Sequence, residues 1–379
     1  MDPILAYAHS KQKDIIALIR RFVECESPSD SPADVACFVE LLADTVSPIA
    51  KVKIHKAGRF GPNFEAEFHL PGRRKIGQVL ALGHSDTVWP MGTLRSMPFR
   101  EAEGRLWGPG VLDMKSGMAF FIFAAHALRD LGMPACSKVL LQVNADEEVG
   151  SESSRALTET NGKRSKAVLV LEPGTGMTGK LKTARKGVGS VHVKVTGRAS
   201  HAGVDFEAGA SAILELARQI GRIEGFTDLR RGLTVNPGVI KGGTRSNVVA
   251  AEASADVDIR VVRINDAPAL ERKFRALRPV DKRCRIEISG GLNRPPMERS
   301  QGVVTLYRVA QTLARALGVE TEESMTGGGS DGNFTAALGI PTLDGLGGVG
   351  AGAHASNESI LVDRIADRTA LLAKLLATL

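Results

Sequence analysis

The sequence predicts an α/β protein: a larger domain built on a mostly parallel sheet flanked by helices, with a smaller α+β domain inserted into it. Three observations lead there. Gln78–Gly83, Lys138–Asn144 and Ala167–Leu171 are nearly continuous apolar runs separated by helical patterns, as expected of strands buried on both faces of a parallel sheet. Each run ends in polar residues, and in open α/β sheets ligands bind past the carboxyl ends of the strands. From about Gly187 the texture changes to strict alternation, which marks half-exposed strands of a separate antiparallel sheet.

The elements follow in order. Apolar residues at helical spacing predict a helix over Asp14–Phe22. The Pro- and Ser-rich loop 27–32 leads into a second helix from about Ala33. Val52–His55 and Asn63–Leu70 alternate as strands, and Gln78–Gly83 is the first buried strand. Ser116–Leu131 is predicted as a helix, Lys138–Asn144 as a strand, Ser151–Thr160 as a helix and Ala167–Leu171 as a strand. In the insert, Ser190–Val195, Val257–Arg260 and Arg285–Ile288 alternate around a helix over Gly209–Gly221. After the Arg294-Pro295-Pro296 break, a helix over Val303–Leu317 precedes a Gly-rich closing segment. The expected domains are 1–184 and 293–379 for the larger one and 185–292 for the insert.

Composition narrows the function. The 379 residues, 43% hydrophobic, are too many for one ordinary core. A formal net charge of +7 invites a nucleic-acid reading, but the basic residues are scattered in short groups such as 73–75 and 282–283. They lack the aromatic interleaving of single-strand binders. No nucleic-acid partner is therefore expected, and the basic balance suits a small anionic substrate better. No apolar run is expected to approach the roughly 20 residues of a membrane span. The first residues lack the succession of a secretory signal, so a cytoplasmic protein is expected. Cys25, Cys37, Cys136 and Cys284 are widely spaced and read as free thiols.

The chemistry lies at the strand ends. His84 and Asp86, two residues apart, leave an extended segment on one side, so the carboxylate can orient a metal-binding imidazole; a turn Asp beside a locally bonded His is the plainer alternative. Asp113 precedes a predicted helix, as a metal carboxylate or an ordinary N-cap would. Asp146, Glu147 and Glu148 crowd three acids at a strand end, which costs free energy unless cations neutralise them or solvent bathes the loop. In a metal site, two adjacent glutamates can divide the work, one ligating and one moving a proton. Glu172 closes the third strand, and His354 sits in a late Gly-rich stretch. Two histidines and three acids, all nitrogen and oxygen donors, suit a two-zinc site.

The ordered set HSDTV, GVLDMKSG, DEEVGS, LEPG, GRASHAG and TGGGSD, with the late His354, resembles the zinc exopeptidase and deacylase family of bacterial glutamate carboxypeptidases, acetylornithine deacetylase and succinyl-diaminopimelate desuccinylase. Trp89-Pro90, Pro109-Gly110-Val111 and Asn293–Met297 resemble the glutamate carboxypeptidase branch. The resemblance implies two zincs per chain, Asp113 bridging them, His84 and Glu172 completing one and Glu148 and His354 the other. It implies that Asp86 orients His84, that Glu147 is general base and then acid, and that the Asp113-Met114 peptide is cis. His201, on the insert, is implied to reach a partner protomer's site and stabilise an oxyanion, making the insert a lid and dimerisation domain of a homodimer. Asn247, Arg260 and Arg294, with Lys180, resemble positions that grip a substrate carboxylate, a task suited to arginine's planar fork. The activity implied is metallocarboxypeptidase hydrolysis of an amide in N-acyl amino acids or peptides. The alternatives are an N-acyl amino acid deacylase, an amidohydrolase of an aromatic or xenobiotic amide, and a non-catalytic binding protein. This last should have lost metal ligands that the chain retains.

Overall fold

The apolar strand Gln78–His84 lies inside a six-stranded sheet of the computed structural model, which describes residues 2–379. The strand order is 50–54, 64–68, 138–144, 78–84, 167–170, 342–343. The last four run parallel, and the first two close the other edge antiparallel. Val79 and Ala81 belong to one buried cluster and Leu80 and Leu82 to another, so the strand is covered on both faces. That double burial is why its sequence is a continuous apolar run rather than an alternation.

This sheet belongs to a unit comprising the chain up to Ala184 with Arg299–Thr326 and Ser330–Leu379. Arg185–Glu298 with Gly327–Gly329 forms the second unit. There the antiparallel strands run in the order 234–242, 252–261, 187–196, 285–294. Val191, Val193, Val195, Val257 and Ile259 share a core with Ala212, Leu216 and Ile223 of helix Ala212–Glu224 and Leu270 and Phe274 of helix Ala267–Arg275. The unit extends beyond the expected boundary at 292, because strand Arg285–Arg294 keeps pairing until Arg294 opposes Val188. Arg185 and Met297 then exchange two backbone hydrogen bonds, at 3.0 and 3.1 Å.

Three other expectations need correction. The helix expected from Ser151 begins at Arg155; Ser151 adopts a φ of 60° and donates its amide to the Asp146 carbonyl at 2.7 Å, closing a turn first. The closing segment is not only Gly-rich: it ends in the helix Ile365–Thr378, buried along most of its length. Finally, Val111–Asp130 is a 20-residue helical stretch apolar enough to cross a membrane, although no such run was expected, and 83% of its apolar window is buried inside the protein. A helix apolar all round is what a core position between packed elements demands.

Candidate metal centre

Strand register assembles the site. In the parallel ladder His84 pairs with Asn144 and Leu82 with Val170, so the three strand ends stand side by side. His84 is therefore adjacent to the turn carrying Glu147 and Glu148, and to Glu172 on its other side. Asp113 comes from the five-residue turn Val111–Lys115, whose Asp113-Met114 peptide is cis. Two glycines let the start of the helix after this turn and the late loop close on the third strand end. A Cβ on Gly117 would stand 2.0 Å from the Leu171 carbonyl oxygen, and one on Gly347 would stand 2.1 Å from the same atom. His354 reaches the cluster from a loop in which its own φ is 61°, a left-handed conformation rare for a side-chain-bearing residue.

The donors form two groups that share Asp113: His84, Asp113 and Glu172, and Asp113, Glu148 and His354. His84 Nε2 lies 3.2 Å from Asp113 Oδ1 and 3.5 Å from Glu172 Oε1. His354 Nε2 lies 3.4 Å from Asp113 Oδ2 and 3.3 Å from Glu148 Oε1. A tetrahedral ion with bonds of about 2.0–2.2 Å has ligand atoms roughly 3.3–3.6 Å apart, so these separations are those of neighbouring ligands on one ion. Glu148 Oε1 is also buried without a hydrogen bond. The residues present thus fit a pair of divalent cations joined by one carboxylate.

The electrostatics agree. Burial lowers the basicity of His84, but Asp113, Asp86, Glu172 and Glu147 outweigh it and hold the imidazole well above its ordinary range. Asp113 and Glu148 raise His354 to about 10, against a smaller opposing effect of burial. Burial pushes Glu148 up. Burial pushes Asp113 the same way, but its two histidine partners bring it below the usual carboxylate range. Negative charge concentrated on nitrogen and oxygen donors is what a divalent cation neutralises.

Asp86 orients His84, but not as the sequence suggests. The imidazole Nδ1 lies 2.8 Å from the backbone carbonyl of Asp86 and 3.5 Å from its carboxylate. The carboxylate instead accepts the amides of Glu147 and Glu148, both at 3.1 Å, and the hydroxyl of Ser29 at 2.8 Å. Glu358 has a role that the sequence reading missed. Fully buried, it accepts the amides of Gly110, Leu112 and Asp113 and the Trp89 indole N–H. Its only sequence signal is its place four residues after His354.

The remaining expected residues lie on other segments of the chain. Lys180, in the first unit, pairs with Glu322 at 2.5 Å. His201, Asn247, Arg260 and Arg294 are on the second unit. His201 and Asn247 lie on neighbouring segments, with the Ala202 amide donating to the Asn247 carbonyl at 3.0 Å. His201 Nδ1 accepts the amides of Gly203 and Val204, both at 3.2 Å, which leaves Nε2 as the protonated nitrogen. Arg260 is held by Asp258 through Nε and Nη2, both at 2.8 Å, and Arg294 is buried at its strand end.

A parallel-centred sheet with this donor set at its carboxyl edge defines a metallohydrolase. The chain belongs to Peptidase family M20/M25/M40, whose sequence profile matches residues 80–378. It is 31% identical to carboxypeptidase G2 of Pseudomonas sp. (strain RS-16) over 307 residues, 79% of this chain and 74% of that one. It is 30% identical to succinyl-diaminopimelate desuccinylase of Paracoccus denitrificans (strain Pd 1222) over 373 residues, 93% and 94% of the two chains. Among solved structures, the fold resembles an M20 family metallo-carboxypeptidase from Sulfolobus solfataricus, with a TM-score of 0.78, 19% identity and coverage of 97% and 100%.

Proposed function

We propose that this chain is a two-zinc amidohydrolase that releases an amino acid from an N-acyl amino acid or peptide with a free carboxylate, as a glutamate-carboxypeptidase-like exopeptidase. The observation that carries the reading is the pair of donor groups sharing Asp113 at tetrahedral ligand spacing. His84, Asp113 and Glu172 would hold one ion, and Asp113, Glu148 and His354 the other. Bound zinc lowers the pKa of water and polarises a carbonyl.

The remaining steps belong to side chains. Glu147 takes the proton from the attacking water and returns it to the leaving amine. Its backbone is fixed by the hydrogen bond to Asp86, so its carboxylate has a short reach to define. His201, with Nε2 protonated, donates to the oxyanion in a partner protomer's site. Asn247, Arg260, Arg294 and Lys180 receive the substrate carboxylate. A cytoplasmic homodimer joined through the second unit accompanies this reading. Its support is the edge strand Thr234–Gly242, which exposes Val239 and Ile240, an apolar edge of the kind that pairs with another chain.

A second reading, an N-acyl amino acid deacylase, is favoured by the 30% identity to a desuccinylase over 93% of the chain. The test is zinc content with hydrolysis of a panel of N-acyl amino acids by native, metal-stripped and zinc-restored protein. About two zincs per chain and preference for acyl-glutamates support the carboxypeptidase reading. Preference for succinyl or acetyl diamino acids selects the deacylase. Absence of both zinc and turnover defeats both.

A further inference from the structure

Glu358 gathers three segments of the candidate centre. Its Oε1 accepts the amides of Leu112 at 2.8 Å and Asp113 at 3.0 Å; its Oε2 accepts the Gly110 amide at 2.9 Å and the Trp89 indole N–H at 2.8 Å. The residues so joined follow His84, carry Asp113 and follow His354. All four contacts are N–H donors, so only an ionised carboxylate satisfies the arrangement. The backbone supports the same junction. Strand Ser359–Leu361, directly after Glu358, pairs with Arg105–Trp107 on one side and Gly350–Ala351 on the other.

The two donor groups depend on this junction unequally. His84 ends a strand hydrogen-bonded to neighbours on both sides, and Glu172 follows another strand of the same sheet. Asp113 and His354 lie outside that sheet, one in a turn and the other in a loop, and Glu358 ties the two segments together.

We infer that Glu358 is a positioning residue that holds Asp113 and His354 at ligand spacing, so that its loss weakens the ion at Asp113, Glu148 and His354 more than the ion at His84, Asp113 and Glu172. This rests on the two-metal reading. Glutamine at 358 would turn an NH2 group toward N–H donors, which breaks the anchor while keeping the volume. Outer partners of metal ligands are typically worth about 10–100-fold in metal affinity.

The experiment compares Glu358→Gln and Trp89→Phe with Glu215→Gln. Glu215 is equally buried but accepts the Val280 and Asp281 amides in the second unit, so it controls for a general loss of stability. Zinc affinities are measured by chelator competition, the cobalt-substituted spectrum is recorded, and folding is checked by circular dichroism. The expected result is two unequal zinc affinities in Glu358→Gln, one weakened about 10–100-fold, with a smaller change in Trp89→Phe, none in Glu215→Gln, and an altered spectrum for one cobalt only. Equal weakening of both ions, unchanged affinity in a folded Glu358→Gln, or the same loss in Glu215→Gln overturns the inference. If Glu358→Gln does not fold, unchanged zinc affinity in Trp89→Phe overturns it instead. A wild-type protein that binds no zinc overturns the metal-centre reading itself.

Discussion

Asp86 and Glu147 are joined by a 3.1 Å hydrogen bond from the Glu147 backbone N–H to the Asp86 carboxylate, across the ends of two neighbouring parallel strands. The second carboxylate oxygen takes the Glu148 amide, so one side chain positions both the expected base and an expected ligand. Asp86→Asn sets an NH2 group against one of these amides. Stability in urea is expected to fall by about 1–3 kcal/mol and turnover by roughly 10–100-fold. Unchanged turnover would remove Asp86 from the positioning of the acid pair.

Stripping the metal leaves the carboxylates of the cluster without their counter-charge, and the folded protein should lose stability. At a hundredfold excess of zinc over its dissociation constant, each ion is expected to contribute about 2.7 kcal/mol. Differential scanning calorimetry with chelator and after zinc restoration measures this. A melting temperature indifferent to zinc would count against the site.

Arg260 is preset by two contacts with Asp258, which holds its guanidinium in one orientation. Arg260→Ala is expected to raise KM for an acyl-glutamate and reduce kcat/KM by the equivalent of about 1.5–3 kcal/mol, with kcat largely retained. Steady-state kinetics on acyl-glutamate and on an acyl-amine lacking the carboxylate separates the effects; only the first substrate should suffer.

His201→Ala and Glu147→Gln should each be nearly inactive, the former by about 10²–10³-fold in kcat, with zinc content kept. Mixed after subunit exchange, the two variants should recover activity, because a mixed dimer contains one site with an intact His201 and an intact Glu147. No recovery on mixing would place His201 in its own protomer's site or outside the reaction.

The buried strands and the polar residues that end them were legible because burial on both faces leaves a continuous apolar run that stops where ligands begin. His84, Glu148 and Glu172 accordingly emerge as candidates, Asp113 and His354 join them through the ordered motifs rather than through strand ends, and the structure brings all five together. Less was legible where backbone does the work. The carbonyl of Asp86, not its carboxylate, is the group nearest to His84 Nδ1, and a backbone atom leaves no mark in a residue pattern. Glu358 acts on amides, so nothing in its residue type distinguishes it from a surface acid. Helix Ile365–Thr378 was missed because wrapping by the core makes it apolar on most sides, which erases the one-faced periodicity used to find helices. Strand Thr234–Gly242 was missed because Pro237 and Gly238 interrupt it, where its register against strand Glu252–Val261 shifts between Pro237 and Val239.

The paired backbone bonds between Arg185 and Met297 bring together the points at which the chain enters and leaves the second unit. An insertion whose ends are stapled to each other can be lengthened, trimmed or exchanged without drawing apart the domain it interrupts. In this chain the residues proposed to meet the substrate carboxylate are mostly on the insertion, while every candidate ligand is on the host. Selection can therefore revise what is recognised as a cassette while the metal ligands and Glu147 stay in place, His201 alone of the proposed reacting groups travelling with it.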